Sequence, residues 1–221
     1  MPLVTINDVK QNEEIKTFLE ISERQLKAIG YTEHSFRHVG LVSQNAGSIL
    51  RDLGHDEREV ELAKIAGFMH DIGNAVNRID HAHSGAILAY DILTRMGMEP
   101  REAAEVMLAI GNHDENTGTA VSNISAALIL ADKSDVHRGR VTNTDFATFD
   151  IHDRVNYAVD SSKIYVEREA RSAVLELHID TKICPVMDYF EIFLARMTMS
   201  RRAAVFLGLT FQLIINETRL L

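Results

Sequence analysis

Apolar residues recur every three or four positions through roughly the first 140 residues, and every second position in parts of the remaining chain. The first period is that of helices turning one face to a core; the second is that of half-buried strands. Ile15, Phe18, Leu19, Leu26 and Ile29 share one face of a helix expected over residues 8–29, with Asn7 as its cap and Gly30 as its stop. A second helix is expected to open at Thr32-Glu33-His34 and run to Leu53, with Phe36, Val39, Val42, Ala46 and Ile49 among its apolar positions. Asp56 caps a third, which carries Leu62, Ile65, Ala66 and Met69 up to His70-Asp71, with Gly73 just beyond as an expected left-handed stop. Further helices are expected over residues 84–96, over 100–110 with Pro100 in the first turn, and from Ser122 or Ser125 to about 132–135.

Beyond residue 150 the period shortens. Val155, Tyr157 and Val159 alternate with polar residues, Ser161-Ser162 reads as a turn, and Ile164, Val166 and the run 174–179 read as strands. Residues 185–206 regain helical spacing, and 209–215 read as a final strand. The expected fold is mainly α: a helical bundle over residues 1–145, then a small α+β extension over 150–221 made of an antiparallel sheet and one packed helix.

Composition narrows the function more than the fold. The chain has 221 residues, 46% of them hydrophobic and 25% charged, as in ordinary globular proteins. Its formal net charge of −9 argues against a general nucleic-acid or anionic-membrane surface. An anionic substrate stays possible, because a bound cation reverses the sign of a local site. The one cysteine, Cys184, allows no internal disulfide and fits a reducing compartment. No signal-peptide layout is recognisable, and the apolar stretch 203–215 is interrupted and too short to cross a bilayer. A cytoplasmic protein is expected. Its sheet segment offers a route to homo-oligomers through edge-to-edge pairing.

Ten histidines exceed what packing needs, and His34, His70, His81, His83 and His113 fall at expected helix ends or first turns. With Asp71 and Asp132 they form a distributed set of nitrogen and oxygen ligands, the kind that holds Mn, Fe, Co, Ni, Zn or Mg. Lys133, Arg138 and Arg140 follow Asp132 closely in an otherwise acidic chain and are candidate phosphate-binding cations. His38 reads as a packed core or groove histidine, Cys184 as an inert thiol. Met96, Met98, Met187, Met197 and Met199 read as core filler.

The order His34, His70-Asp71, His81, His113, Asp132 resembles the HD superfamily of metal-dependent phosphohydrolases, over roughly residues 30–140. The resemblance implies an HD-type helical bundle in which His34, His70, Asp71 and Asp132 hold one divalent ion. His81 and His113 would hold a second, bridged to the first by Asp71. It implies hydrolysis of a phosphate ester or anhydride of a nucleotide or other small phosphorylated metabolite by a metal-activated water. Asp71 and Lys133 are then the candidate catalytic groups, Lys133, Arg138 and Arg140 the substrate-binding ones, with Asp114 or Glu115 orienting a ligand and His83 or His137 as proton donor. Three departures stand out. Asn112 occupies the place of a second histidine beside His113, Asn74 stands where a lysine is frequent, and Glu115-Asn116-Thr117-Gly118 lies where the cyclic-dinucleotide branch has Gly-Tyr-Pro. Two rivals share the scaffold: a di-iron oxygenase, and a non-catalytic nucleotide-binding regulator.

Overall fold

Side chains that satisfy helix ends decide where the helices begin and stop in this protein, whose computed structural model describes residues 3–220. Thr5 and Asp8 form a capping box, and Asn12 accepts from the backbone N–H groups of Glu14 and Ile15. The first amphipathic stretch is therefore two helices, α1 (Ile6–Gln11) and α2 (Glu13–Ala28), rather than one: Asn12 serves as a cap better than as a helix interior. Ser35 caps α3 (Phe36–Leu53), which leaves His34 just outside the helix, and Gly54 ends it at φ 84°. Asp56 caps α4 (Glu57–Met69) as expected. Then come α5 (His81–Arg95), starting three residues earlier than its apolar spacing indicates, α6 (Pro100–Gly111) and α7 (Asn123–Lys133), capped by Ser122.

Gly73 is not the left-handed stop expected of it. It lies in a 3₁₀ turn (Ile72–Ala75), where a Cβ would stand 1.9 Å from the carbonyl oxygen of His81 and 2.4 Å from the backbone nitrogen of Gly85. Only glycine lets this turn press against α5, and that contact brings His81 to His70 and Asp71.

The C-terminal segment departs most from the sequence reading. The alternation at Val155–Val159 belongs to α8 (Ile151–Ala158), whose first turn is capped by Asp150 and which buries Val155 and Ala158. Ser161 and Ser162 lie inside β1 (Val159–Glu167), paired with His178 and Leu177 of β2 (Ser172–Ile179); the chain turns instead before Arg171, at φ 49°. After α9 (Val186–Phe206) come β3 (Thr210–Ile215) and β4 (Thr218–Arg219), joined through Asn216 and Glu217, both at positive φ, as the tightest hairpin turn requires. The sheet, in order β1-β2-β3-β4, is mixed rather than wholly antiparallel. β2 and β3 run parallel because α9 carries the chain back between them.

α9 packs on α7 and β3, and β1 on α3, so one continuous cluster of buried side chains runs from Val39, Met69 and Leu128 to Leu175, Phe193 and Leu213. Met98, Met197 and Met199 belong to it and Met96 packs against it, whereas Met187 is 73% exposed and fills no core. Cys184 is buried and unpaired, and burial with Asp188 beside it raises its thiol to about 11. Among the described residues no helix is long and apolar enough to cross a membrane.

Candidate metal centre

Four imidazoles converge from four elements on two carboxylates, and each is oriented by its own far nitrogen. His70, at the C-terminal end of α4, donates from Nδ1 to the Gly67 carbonyl at 2.9 Å. His81 opens α5 and donates to the Arg78 carbonyl at 3.1 Å; His113, after α6, donates to the Ile110 carbonyl at 2.6 Å. His38, one turn into α3, donates to the Asp135 carboxylate at 2.7 Å. With Nδ1 engaged in each, all four turn Nε2 toward the carboxylates, the orientation that metal-ligating histidines require.

The Nε2 atoms meet in two pairs. His38 and His70 approach to 3.3 Å, His81 and His113 to 3.2 Å. Asp71 stands between the pairs. Its Oδ2 lies 3.7 Å from His38 and 3.3 Å from His70, and its Oδ1 lies 3.7 Å from His81 and 4.0 Å from His113. Asp132 Oδ1 closes the first pair at 3.5 Å from His38 and 3.6 Å from His70. Donor separations of this size suit atoms sharing one ion at bonds of about 2.1 Å. Three overlapping groups result: His38, His70 and Asp71; His70, His113 and Asp132; and Asp71, His81 and His113. Asp132 adjoins the first group through His38 and His70. The donor set fits a divalent ion in the first group, and the two faces of Asp71 fit a bridging carboxylate.

Electrostatics agree. Burial would lower His70, but Asp71 and Asp132 outweigh it and raise the imidazole to about 10, which marks this point as one that favours positive charge. Burial would raise the two carboxyls, yet His70 beside Asp71 and Lys133 beside Asp132 hold both well below the usual carboxylate range. Burial, with His70 nearby, lowers His113 to about 3, so its ring stays neutral and ready to ligate.

The structure corrects the first histidine by one helical turn. His34 precedes the Ser35 cap, donates from Nδ1 to the Thr32 carbonyl at 2.6 Å and accepts from Arg140 at Nε2 at 3.1 Å, and among the described residues it joins none of the convergent ligand groups. Burial and then Arg140 lower it well below the usual histidine range. His38 takes its place. The signal was present in the sequence: His38 shares the stripe of Val42 and Ala46, both fully buried, and Ser35 is a strong cap that puts His34 outside the helix.

Other expected residues separate in the same way. Lys133 is buried between Glu115 at 2.6 Å and Asp132 at 2.7 Å, and so steadies a ligand rather than facing solvent. Arg140 is buried too, donating to the Glu33 and Asp135 carbonyls besides His34. Arg138 is not brought to the centre: it is half-exposed, faces Asp160 at 3.9 Å and stacks over Tyr157. His83 and His137 also lie apart, against Asp80 and the Asp160 carbonyl. Glu115 orients no histidine; it binds Lys133 and Arg196. Asn74, where a lysine was expected, donates to Asp71 Oδ1 at 2.9 Å and holds that carboxylate in place.

Beside the centre opens a cavity of about 450 Å³, whose lining includes Tyr31, His34, Arg78, Glu115, Arg140 and Arg196. Arg78 touches His81 and Arg140 touches His34, while Glu115 reaches Asp132 through Lys133. Arg78 and Arg196 went unnoticed in the sequence, although Arg78 lies only three residues before His81; Arg196 sits far from every ligand in the chain.

Comparison with known proteins bears on this geometry. One relative, an uncharacterized protein of Methanocaldococcus jannaschii, is 30% identical over 164 residues, covering 63% of this chain. The matched region spans 62% of that relative's length. A crystal structure described as a predicted HD superfamily hydrolase, from an uncultured Thermotogales bacterium, is 26% identical and covers 61% of this chain and 75% of its own, with a TM-score of 0.45. The HD domain family matches residues 35–191, a span that starts one residue after His34 and contains His38, the His70-Asp71 pair, His81, His113 and Asp132. By that match, the chain belongs to the HD domain family.

Proposed function

We propose that this protein is a metal-dependent phosphohydrolase that cleaves a phosphate ester or anhydride of a small metabolite, a nucleotide among the candidates. The observation that supports it most is the convergence of four Nε2 atoms and two carboxylates beside a guanidinium-lined cavity, in a chain of net charge −9. His38, His70 and Asp71, with Asp132 beside the first two, would hold one ion, and Asp71, His81 and His113 a second. When bound, such ions lower the pKa of a water molecule and draw charge from phosphoryl oxygens. The protein's own groups do the rest. Lys133 and Asn74 keep the two carboxylates turned inward. Burial keeps bulk water from screening the charges. The guanidinium groups of the cavity receive the phosphate, and Glu115 holds Arg196 and Lys133 at fixed places.

In the reaction an oxygen of water joins phosphorus, the bond from phosphorus to the leaving oxygen breaks, and that oxygen takes up a proton. The products are phosphate and an alcohol from a monoester, a monoester and an alcohol from a diester, or two phosphate-bearing fragments from an anhydride. The neutral imidazoles and carboxylates accept Mn, Fe, Co, Ni, Zn or Mg. We place the protein in the cytoplasm from its single, buried cysteine.

Metal-stripped protein reloaded with each divalent ion in turn, then assayed against phosphomonoesters, diesters and nucleotides, tests the proposal. Hydrolysis should depend on the ion and vanish in Asp71→Ala together with bound metal. Full hydrolysis in Asp71→Ala contradicts the scheme; oxygen uptake by iron-loaded protein without hydrolysis favours an oxygenase instead.

A further inference from the structure

The cavity is lined by guanidinium groups, Arg78, Arg140 and Arg196, and by carboxylates, Glu115, Asp150 and Asp153, with α8 and α9 of the C-terminal extension contributing to both. Three guanidinium groups of the lining compete for the role of anion receptor, and their hydrogen bonds separate them. Arg140 is 2% exposed and engaged through Nε, Nη1 and Nη2 with Glu33, Asp135 and His34. Arg78 uses only Nη1, on Asn74 and His81, and its planar group lies 5.3 Å from the Tyr31 ring centroid. Arg196, on α9, uses only Nε, on Glu115, while the Phe193 ring 4.5 Å away supports its plane. Both Nη groups of Arg196, and Nε and Nη2 of Arg78, are without protein acceptors among the described residues.

The start of α8 and its cap add Asp150, His152, Asp153 and Asn156 to the lining. One Asp150 oxygen caps the helix by accepting from the backbone of Asp153, and Asp153 accepts from Asn143 through Oδ2 alone.

We infer that Arg196 and Arg78 form a two-fork clamp for the terminal phosphate of a phosphomonoester, and that Asp150 and Asp153 select a hydroxyl-bearing remainder while turning away a second phosphate. The assignment rests on the phosphohydrolase reading for the reaction, though not for the binding. A monoester phosphate offers three unshared oxygens, enough for the metal centre and two forks together; a diester offers two. Carboxylates accept from hydroxyl hydrogens and repel phosphate, so a lining that combines guanidinium groups with Asp150 and Asp153 matches a sugar or nucleoside monophosphate, which carries an anion and neutral hydroxyls. The volume of about 450 Å³ suits a molecule of that size.

Calorimetric titration of the metal-loaded protein with inorganic phosphate, and separately with pyrophosphate, tests the clamp without needing turnover. Arg196→Gln should weaken phosphate binding at least about tenfold with metal content unchanged. Arg196→Lys keeps the charge next to Glu115 but lacks the fork, and should fall between; it decides the matter if Arg196→Gln does not fold. Asp153→Asn should tighten pyrophosphate more than phosphate. Wild-type phosphate affinity in both Arg196 variants, or equal shifts for the two probes in Asp153→Asn, overturns the inference. Failure of the hydrolase reading shows separately, as a wild-type protein that binds phosphate through Arg196 yet hydrolyses no phosphate compound.

Discussion

Asp135 governs one ligand without being one. It is 2% exposed, accepts from His38 Nδ1 at 2.7 Å and from Arg37 at 3.0 Å, and lies 3.7 Å from Arg140. Those contacts hold the carboxyl far below its ordinary value, burial opposing and Arg140 and His38 prevailing, so it stays an acceptor for His38 throughout the working pH range. An amide in its place presents a donor as readily as an acceptor and lets His38 take the wrong tautomer. Asp135→Asn should therefore weaken metal binding about tenfold to a hundredfold, read by competition with a chromophoric chelator, while the fold persists. Unchanged affinity would show that His38 needs no orienting partner. The same scale explains the one-turn slip in reading the site. His34 and His38 are equivalent as ligand types, and only the Ser35 cap and the burial of the 38-42-46 stripe separate them. The His-Asp pair and Asp132 were legible because they end helices whose apolar spacing is plain.

At the level of elements, α9 is tied to α7 through charge. Arg196 binds Glu115, in the loop after α6, and Glu115 binds Lys133 at the end of α7. Burial would raise the Glu115 carboxyl, but Lys133 and Arg196 outweigh burial and lower it from 4.5 to about 2. A carboxylate depressed by folding stabilises the protein above its unfolded value and loses that contribution as pH falls toward its folded one. The ties should therefore contribute fully above pH 4.5 and fade between 4.5 and 2. Thermal unfolding of wild type and Glu115→Gln from pH 7 to pH 3 should show a gap on the order of 1–3 kcal/mol that narrows with acid. A gap constant with pH contradicts this role. Periodicity and caps made the helices readable, but not these ties: nothing local marks Arg196 as the partner of a glutamate 81 positions away. The parallel pairing of β2 with β3 was hidden for a related reason, since strand direction depends on the path of α9 and not on the strands' own alternation.

Across the whole molecule, the helical part supplies the ligands and the extension supplies part of the lining of the cavity beside them. α3, α4, α5 and α7 with the turn after α6 gather donors scattered from residue 38 to residue 132. α8 and α9, legible in the sequence only as an extension of unknown role, close the cavity with Asp150, Asp153 and Arg196. That division fits a common metal chemistry with a selectivity of this chain's own. The metal centre as described depends on which histidine completes the first ligand group. Manganese binding to stripped protein, measured by calorimetry alongside metal analysis for wild type, His38→Ala and His34→Ala, tests it most directly. His34→Ala should keep the wild-type metal content and His38→Ala should lose the ion of the first group; retention in His38→Ala with loss in His34→Ala would contradict the assignment.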